Sequence, residues 1–307
     1  MKRLTGIFLI FVLMCLACKA QPAPQAESPA PEPTAVLTEA PTEVPQTEVP
    51  TPVPSAPPSD GSTPAPTEAP TPEPTPEPIT AEMLDSGMFD SYFDDAVFVG
   101  DSMTKAFGYF ITKQREQNGA CLGSAHFMGV VSMTLKYAVT DTPLFTYRGK
   151  QVSLTDGLNQ YGAKKVFIMI GANDLSFRDW SDVENDFRKI IDLIHEKCDG
   201  AKVILIGINP PTYSYCRNRD IDIAHWNSFN DGLRAICEEK GADFMTFASE
   251  LMDEKGYLRL EYADGDLHLS NAGNTIWLRA VRIYAAKQLR PDAELLLSEN
   301  ESTKNNS

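Results

Sequence analysis

The stretch Ala96-Val-Phe-Val-Gly-Asp-Ser102 decides the fold of this chain. Its apolar run ends abruptly in Gly100-Asp101-Ser102, a pattern that favours a buried strand closed by a turn, although periodicity alone also fits a buried helix segment. Open α/β sheets bind ligands just past the carboxyl ends of their strands, where the following helix directs free N–H groups at negative charge. Ser102 is therefore the first candidate for a catalytic residue.

Further apolar runs and helical patterns alternate along the chain after this stretch. Lys165–Ile170 and Lys202–Ile208 are apolar almost throughout, which is typical of strands covered on both faces. The alternation predicts an α/β chain, a three-layer α/β/α sandwich around a five-stranded parallel sheet of the flavodoxin-like type. A weaker strand candidate is 125–128, and a fifth strand is predicted at 243–247. The predicted helices are 83–95, 103–117, 153–161, 181–197 with Ser181 as its cap, 221–240 and 272–289, and a small hairpin or loop is predicted at 144–152.

The chain begins with a segment that is typical of a signal peptide. Residues 1–17 open with Lys2 and Arg3 and then run apolar over a length too short to span a membrane. Leu16-Ala17-Cys18 resembles the lipobox of bacterial lipoproteins, which implies that Cys18 is lipidated and anchors the chain to the cell membrane. An ordinary cleaved signal is the alternative, and either case predicts an extracytoplasmic protein.

Residues 18–80 have the composition of a spacer. They hold 19 of the 23 prolines of the chain, interleaved with Thr, Glu and Ala. Proline removes backbone donors and few large apolar residues remain to bury, so we expect an extended polyproline-rich segment without a core. A ligand for proline-binding modules is the other interpretation. One folded domain is expected at 81–290, followed by a polar C-terminal tail at 291–307.

Charge and cysteine content limit the partners of the folded part. The chain has a net charge of −15, of which residues 81–307 carry −9, and no basic run is present. We therefore expect no nucleic-acid partner.

The cysteines of the domain lie far apart in the sequence; they are Cys121, Cys198, Cys216 and Cys237. Export permits disulfides, but a domain of this size does not need them. The sequence leaves the pairing of these cysteines open.

Several polar residues are expected at the same edge of the sheet as Ser102. Gly171-Ala-Asn173-Asp174 follows a predicted strand, and Asp264-Gly-Asp266-Leu-His268 precedes the last helix. A serine hydroxyl is a weak nucleophile without a base, which His268 can supply, and a carboxylate must then orient the imidazole. The amide of Asn173 could stabilise an oxyanion. Each signal alone is weak, since a GxND sequence is also a common helix-capping turn.

The order of these motifs resembles the SGNH hydrolases, also called the GDSL lipase/acylhydrolase family. The resemblance covers about residues 94–290. It implies that Ser102 is the nucleophile and His268 the base, and that the N–H of Ser102, the N–H of Gly129 and the side chain of Asn173 form the oxyanion hole.

The sequence departs from that family at two places. The family usually places its acid three residues before the histidine, but position 265 is glycine, so Asp266 or Asp264 must take the role unless a backbone carbonyl does. Asp266 is favoured because it needs less distortion of the loop. The glycine of the second motif is also indistinct: Gly129 is assigned, and Ser132 is the alternative.

The resemblance to the SGNH hydrolases and the predicted signal peptide together predict a cell-surface serine esterase. We expect it to remove small acyl groups, acetyl foremost, from a carbohydrate or cell-wall polymer, as a monomer with no cofactor and no metal. A lysophospholipase or thioesterase of the same family stays open. The rival from another class is a tethered binding or scaffold protein whose hydrolase site has degenerated.

Overall fold

A computed structural model describes residues 76–297. The predicted signal peptide, Cys18 and most of the spacer lie outside the described residues. The strands are β1 Ile79–Thr80, β2 Ala96–Gly100, β3 His126–Gly129, β4 Phe145–Tyr147, β5 Lys150–Val152, β6 Lys165–Met169, β7 Lys202–Ile206, β8 Asp243–Met245, β9 Ala263–Asp264, β10 His268–Leu269 and β11 Leu295–Leu296. The helices are α1 Ala81–Asp85, α2 Ser102–Asn118, α3 Leu135–Ala138, α4 Leu154–Tyr161, α5 Ala172–Leu175, α6 Trp180–Lys197, α7 Tyr213–Arg219, α8 Ile223–Lys240, α9 Ala248–Leu251 and α10 Asn271–Leu289, with 3₁₀ turns at Asp90–Phe93 and Leu260–Tyr262.

The central sheet has five parallel strands in the order β3-β2-β6-β7-β8. Gly100 at the end of β2 pairs with Gly129 on one side and with Met169 on the other. The strand order reverses between β2 and β6, and open α/β sheets form their binding crevice at such a switch point. The predicted fold class is confirmed, and the crevice lies where Ser102 and Asn173 follow these two strands.

The two faces of the sheet bury separate apolar cores, as the wholly apolar strands require. On β2, Val97 and Val99 pack into the core beneath α4, α6 and α8, whereas Ala96 and Phe98 pack into the core beneath α2 and α10. Side chains alternate between faces along a strand, so a run without polar residues serves both cores at once. The helices therefore form one layer on each face.

Several predicted boundaries differ from the structure. Helix α6 begins at Trp180 with Asp179 at its N-cap, so the prediction of Ser181 as the cap is wrong, since Ser181 lies inside the helix. The lead-in predicted over 83–95 is divided into α1 and a 3₁₀ turn. The hairpin expected near 144–152 is present as β4 and β5. The short helices α3, α5, α7 and α9 were not predicted.

A small parallel pair joins the two ends of the described chain. Ile79 of β1 pairs with Leu295 of β11, and the Ile79 side chain is completely buried. The structured part therefore extends beyond the predicted 81–290 at both ends, into the end of the spacer and the start of the predicted tail. Within residues 76–297, no helix has the length and hydropathy needed to cross a membrane.

Candidate active site

Ser102 is the first residue of helix α2, directly after the central strand β2. Asp101 caps this helix: its side chain accepts a hydrogen bond from the N–H of Met103 at 2.9 Å. The first N–H groups of a helix have no partner within it, so the Ser102 N–H is available to a ligand. The local sequence therefore places a hydroxyl and a backbone donor at the same point.

His268 lies within hydrogen-bonding distance of the predicted nucleophile. Its Nε2 is 2.8 Å from the Ser102 Oγ, although the two residues are 166 positions apart in the chain. His268 begins β10, which pairs with β9 in a short antiparallel hairpin. The structure brings together a nucleophile and a base in the arrangement that acyl transfer requires.

The two candidate acids occupy different positions in this hairpin. Asp264 pairs directly opposite His268, and directly opposed side chains in an antiparallel pair lie on the same face. The carboxylate of Asp266 instead accepts hydrogen bonds from Ser214 at 2.8 Å and from Thr212 at 3.3 Å. Between residues 76 and 297, no carboxylate forms a hydrogen bond or an ion pair with the His268 ring. Of the two alternatives this geometry favours Asp264, whereas the loop distance had favoured Asp266.

Asn173 reaches the same crevice from the neighbouring strand. It lies in the single-turn helix α5, which follows Gly171. The φ angle of Gly171 is 121°, a conformation that only glycine adopts readily. The Asn173 Nδ2 donates to the Met133 carbonyl at 3.0 Å and to the Asp101 carboxylate at 3.2 Å. These two bonds hold the amide beside the start of helix α2.

Asp101 is a buried acid that the sequence analysis did not single out. Only 2 % of its surface is exposed, and burial raises the pKa of its carboxyl to about 7, helped by the negative charge of Asp174. Its position just before a helix N-terminus, where aspartate is a preferred cap, is the signal that could have identified it. Asp101 connects the helix of the nucleophile to the amide of Asn173.

Asp174 fixes the loop that follows β3. It is fully buried, its Oδ2 accepts the N–H of Leu135 at 2.8 Å, and its Oδ1 accepts from Arg178 at 2.7 Å. A buried carboxylate with these partners is satisfied in place. Together with the bond from Asn173 to Met133, it ties the loop after β3 to the turn after β6.

The second backbone N–H donor of the predicted oxyanion hole depends on the conformation of the loop after β3. The N–H of Val130 donates to Gly100, so the N–H of Gly129, the residue before it in the strand, points away from β2 toward the open edge of the sheet. Ser132 has φ of 57°, and its N–H has no acceptor within the described chain. The geometry therefore favours Ser132 over Gly129 as the donor.

Gly129 is required for a different reason. A Cβ atom there would lie 2.5 Å from the backbone nitrogen of Lys105. Helix α2 approaches strand β3 closely at this point, which no larger residue permits without a shift of the backbone.

The described cysteines and acids show no further reactive cluster. Cys121, Cys198, Cys216 and Cys237 are free and buried, and burial raises the pKa of the last three to about 11. Thiols of this kind are unreactive because the thiolate is the nucleophile. Between residues 76 and 297, no group of three or more His, Cys, Asp or Glu side chains could hold a metal ion.

Comparison with known proteins identifies the family and supports the fold. Residues 98–276 match the model of the GDSL-like lipase/acylhydrolase family. A crystal structure described as an acylhydrolase from Bacteroides fragilis is similar with a TM-score of 0.52 at 16 % identity, over 70 % of this chain and 92 % of the other. A GDSL-like lipase from Bacteroides thetaiotaomicron gives 0.51 at 16 % identity, over 64 % and 90 %. At this identity the likeness concerns the fold; no curated protein matches the sequence.

Proposed function

Because the chain belongs to the GDSL-like lipase/acylhydrolase family and is a hydrolase of carboxylic esters, we propose that it is a cell-surface serine esterase of acylated carbohydrate. The substrate would carry small acyl groups, foremost acetyl, on a glycan or a cell-wall polymer. The observation that carries the mechanism is the 2.8 Å contact between Ser102 Oγ and His268 Nε2. Location at the surface rests on the apolar leader, Cys18 and the proline-rich spacer.

The proposed reaction has two halves that use the same groups. Ser102 Oγ attacks the ester carbonyl and gives its proton to His268, and the N–H groups of Ser102 and Ser132 with the Asn173 amide stabilise the oxyanion. The ester C–O bond breaks as His268 protonates the leaving oxygen, which departs as the sugar hydroxyl. Water, which gives a proton to His268, then attacks the acyl-enzyme. The bond between Ser102 Oγ and the acyl carbon breaks, His268 returns the proton to Ser102 Oγ, and the carboxylic acid leaves.

The Asn173 amide must exchange a partner during this reaction. An amide group has two N–H donors, and both are bonded, to Met133 and to Asp101. Binding the oxyanion therefore replaces or shares one of these bonds. Because the new acceptor carries developing charge in a preorganised site, the exchange favours the transition state over the free enzyme.

The test of the mechanism is the removal of the Ser102 hydroxyl. We expect Ser102→Ala to abolish hydrolysis of 4-nitrophenyl acetate and labelling by a fluorophosphonate probe, with an unchanged circular dichroism spectrum. Wild-type protein that fails to react with the probe would favour the scaffold alternative. Wild-type rates in Ser102→Ala would instead show that another nucleophile is used.

A further inference from the structure

A groove of about 370 Å³, a volume within the range of small-molecule sites, lies between helix α2 and the hairpin that carries His268. One wall is helix α2, which contributes Tyr109 and Lys113. The other wall is the hairpin of His268 and the start of α10, which contribute Asp264 and Asn271. The lining of the groove begins at Ala106, one turn of α2 after Ser102, and includes Asp264, which pairs opposite His268.

The helix wall of this groove is the face of α2 that carries the nucleophile. Each residue of an α-helix advances about 100° around the axis, so Tyr109 and Lys113 lie within roughly 20° of Ser102. At about 1.5 Å of rise per residue, they lie roughly 10 and 16 Å along the helix from Ser102. A chain attached to an acyl group at Ser102 could run along this face.

The chemistry of the groove suits a sugar better than a lipid chain. Tyr109 is 62 % exposed, so its ring is open to a flat partner. Tyr109 also lines a second groove, together with Lys105. Aromatic side chains with a polar tip bind partners that are apolar on one side and wet on the other, as pyranose rings are. Lys113, Asp264 and Asn271 place charges and an amide where a long acyl chain would need apolar walls.

Resting on the proposed function, we propose that this groove binds the glycan that carries the ester, with a sugar ring stacked on Tyr109. Lys113 and Asn271 donate hydrogen bonds to its hydroxyl groups. Helix α2 then both presents the nucleophile and selects the substrate.

The test compares a glycan ester with a small ester on the same variants. We expect Tyr109→Ala to lower kcat/KM for O-acetylated xylo-oligosaccharides or chito-oligosaccharides about tenfold, mainly through KM, which corresponds to about 1.4 kcal/mol. Hydrolysis of 4-nitrophenyl acetate, which does not reach the groove, should be unchanged. Tyr109→Phe keeps the ring and should retain most of the glycan activity.

Tyr137→Ala is the matched control, because Tyr137 is 59 % exposed and does not line this groove. Tyr109→Ala could instead lower the rates for the glycan ester and the small ester equally, or lower neither rate. Either result would show that the groove is not the glycan site, while the proposed function would stand. If the wild-type protein cleaves 4-nitrophenyl acetate but no acetylated oligosaccharide, the proposed substrate class fails and the glycan site with it.

Discussion

At the scale of single residues, the hairpin that carries His268 decides how the base is oriented. The three residues between β9 and β10 reverse the chain at Gly265, which has φ of 79°. This turn places Asp264 opposite His268, and it leaves Asp266 bonded to Ser214. Asp266 is the carboxylate nearer to His268 in sequence, and it is thus the one that is bonded to other side chains.

We therefore expect Asp264→Asn to lower kcat more than Asp266→Asn. A carboxylate that orients the histidine of a triad can contribute up to about 10⁴ in kcat, whereas one that holds a loop through hydroxyl groups contributes less. The measurement is kcat for 4-nitrophenyl acetate on each variant, with thermal unfolding as a control for the fold. A larger loss in Asp266→Asn would reverse the assignment, and near-wild-type rates in both would indicate a Ser–His pair without a side-chain acid.

At the scale of elements, the close contact of helix α2 with strand β3 positions Ser102. The glycine at position 129 lets the backbone of Lys105 approach within van der Waals contact of the strand. Ser102 lies one turn before Lys105 on the same helix. A shift of the helix at this contact would therefore move Ser102 relative to His268.

Gly129→Ala should cost both stability and activity. Its Cβ would overlap backbone atoms, and overpacking of this kind costs about 1–3 kcal/mol of the free energy of unfolding. Urea unfolding and kcat measure the two effects. Gly232→Ala in helix α8 is the control, because its Cβ meets only the end of the Glu184 side chain and alanine favours the helix. If Gly129→Ala matches wild type in both measurements, the contact does not position the helix.

At the scale of the whole molecule, all the described groups of the site come from one domain, and the two ends of the described chain pair with each other. Ser102, Ser132, Asn173 and His268 lie on four separate segments at the carboxyl edge of one sheet. The pair of β1 and β11 joins the two ends of the described chain. The four candidate site residues thus all lie between positions 102 and 268 of the described domain.

A fragment of residues 76–307 should hydrolyse small esters with the kcat/KM of the longer protein. A fragment of residues 81–290 lacks β1 and β11 and should unfold at a lower temperature, because burying an isoleucine such as Ile79 contributes about 1.5–3 kcal/mol. Kinetics and thermal unfolding of both fragments give the comparison. Equal melting temperatures would show that the terminal pair contributes nothing to stability.

The sequence by itself predicted the sheet and its two covering layers, which the structure confirms, and it named Ser102, His268 and Asn173 as candidates for the site. Those features depend on local patterns, since apolar runs such as Lys165–Ile170 leave no face for water and the motifs follow the strands directly. The tertiary structure, not the sequence, favours Asp264 over Asp266 and Ser132 over Gly129. Each choice depends on the direction of a side chain or an N–H group, which the register of a hairpin and the φ angle of one turn residue set. Neighbouring candidates cannot be ranked from sequence alone, because contacts across the fold orient their side chains and N–H groups differently.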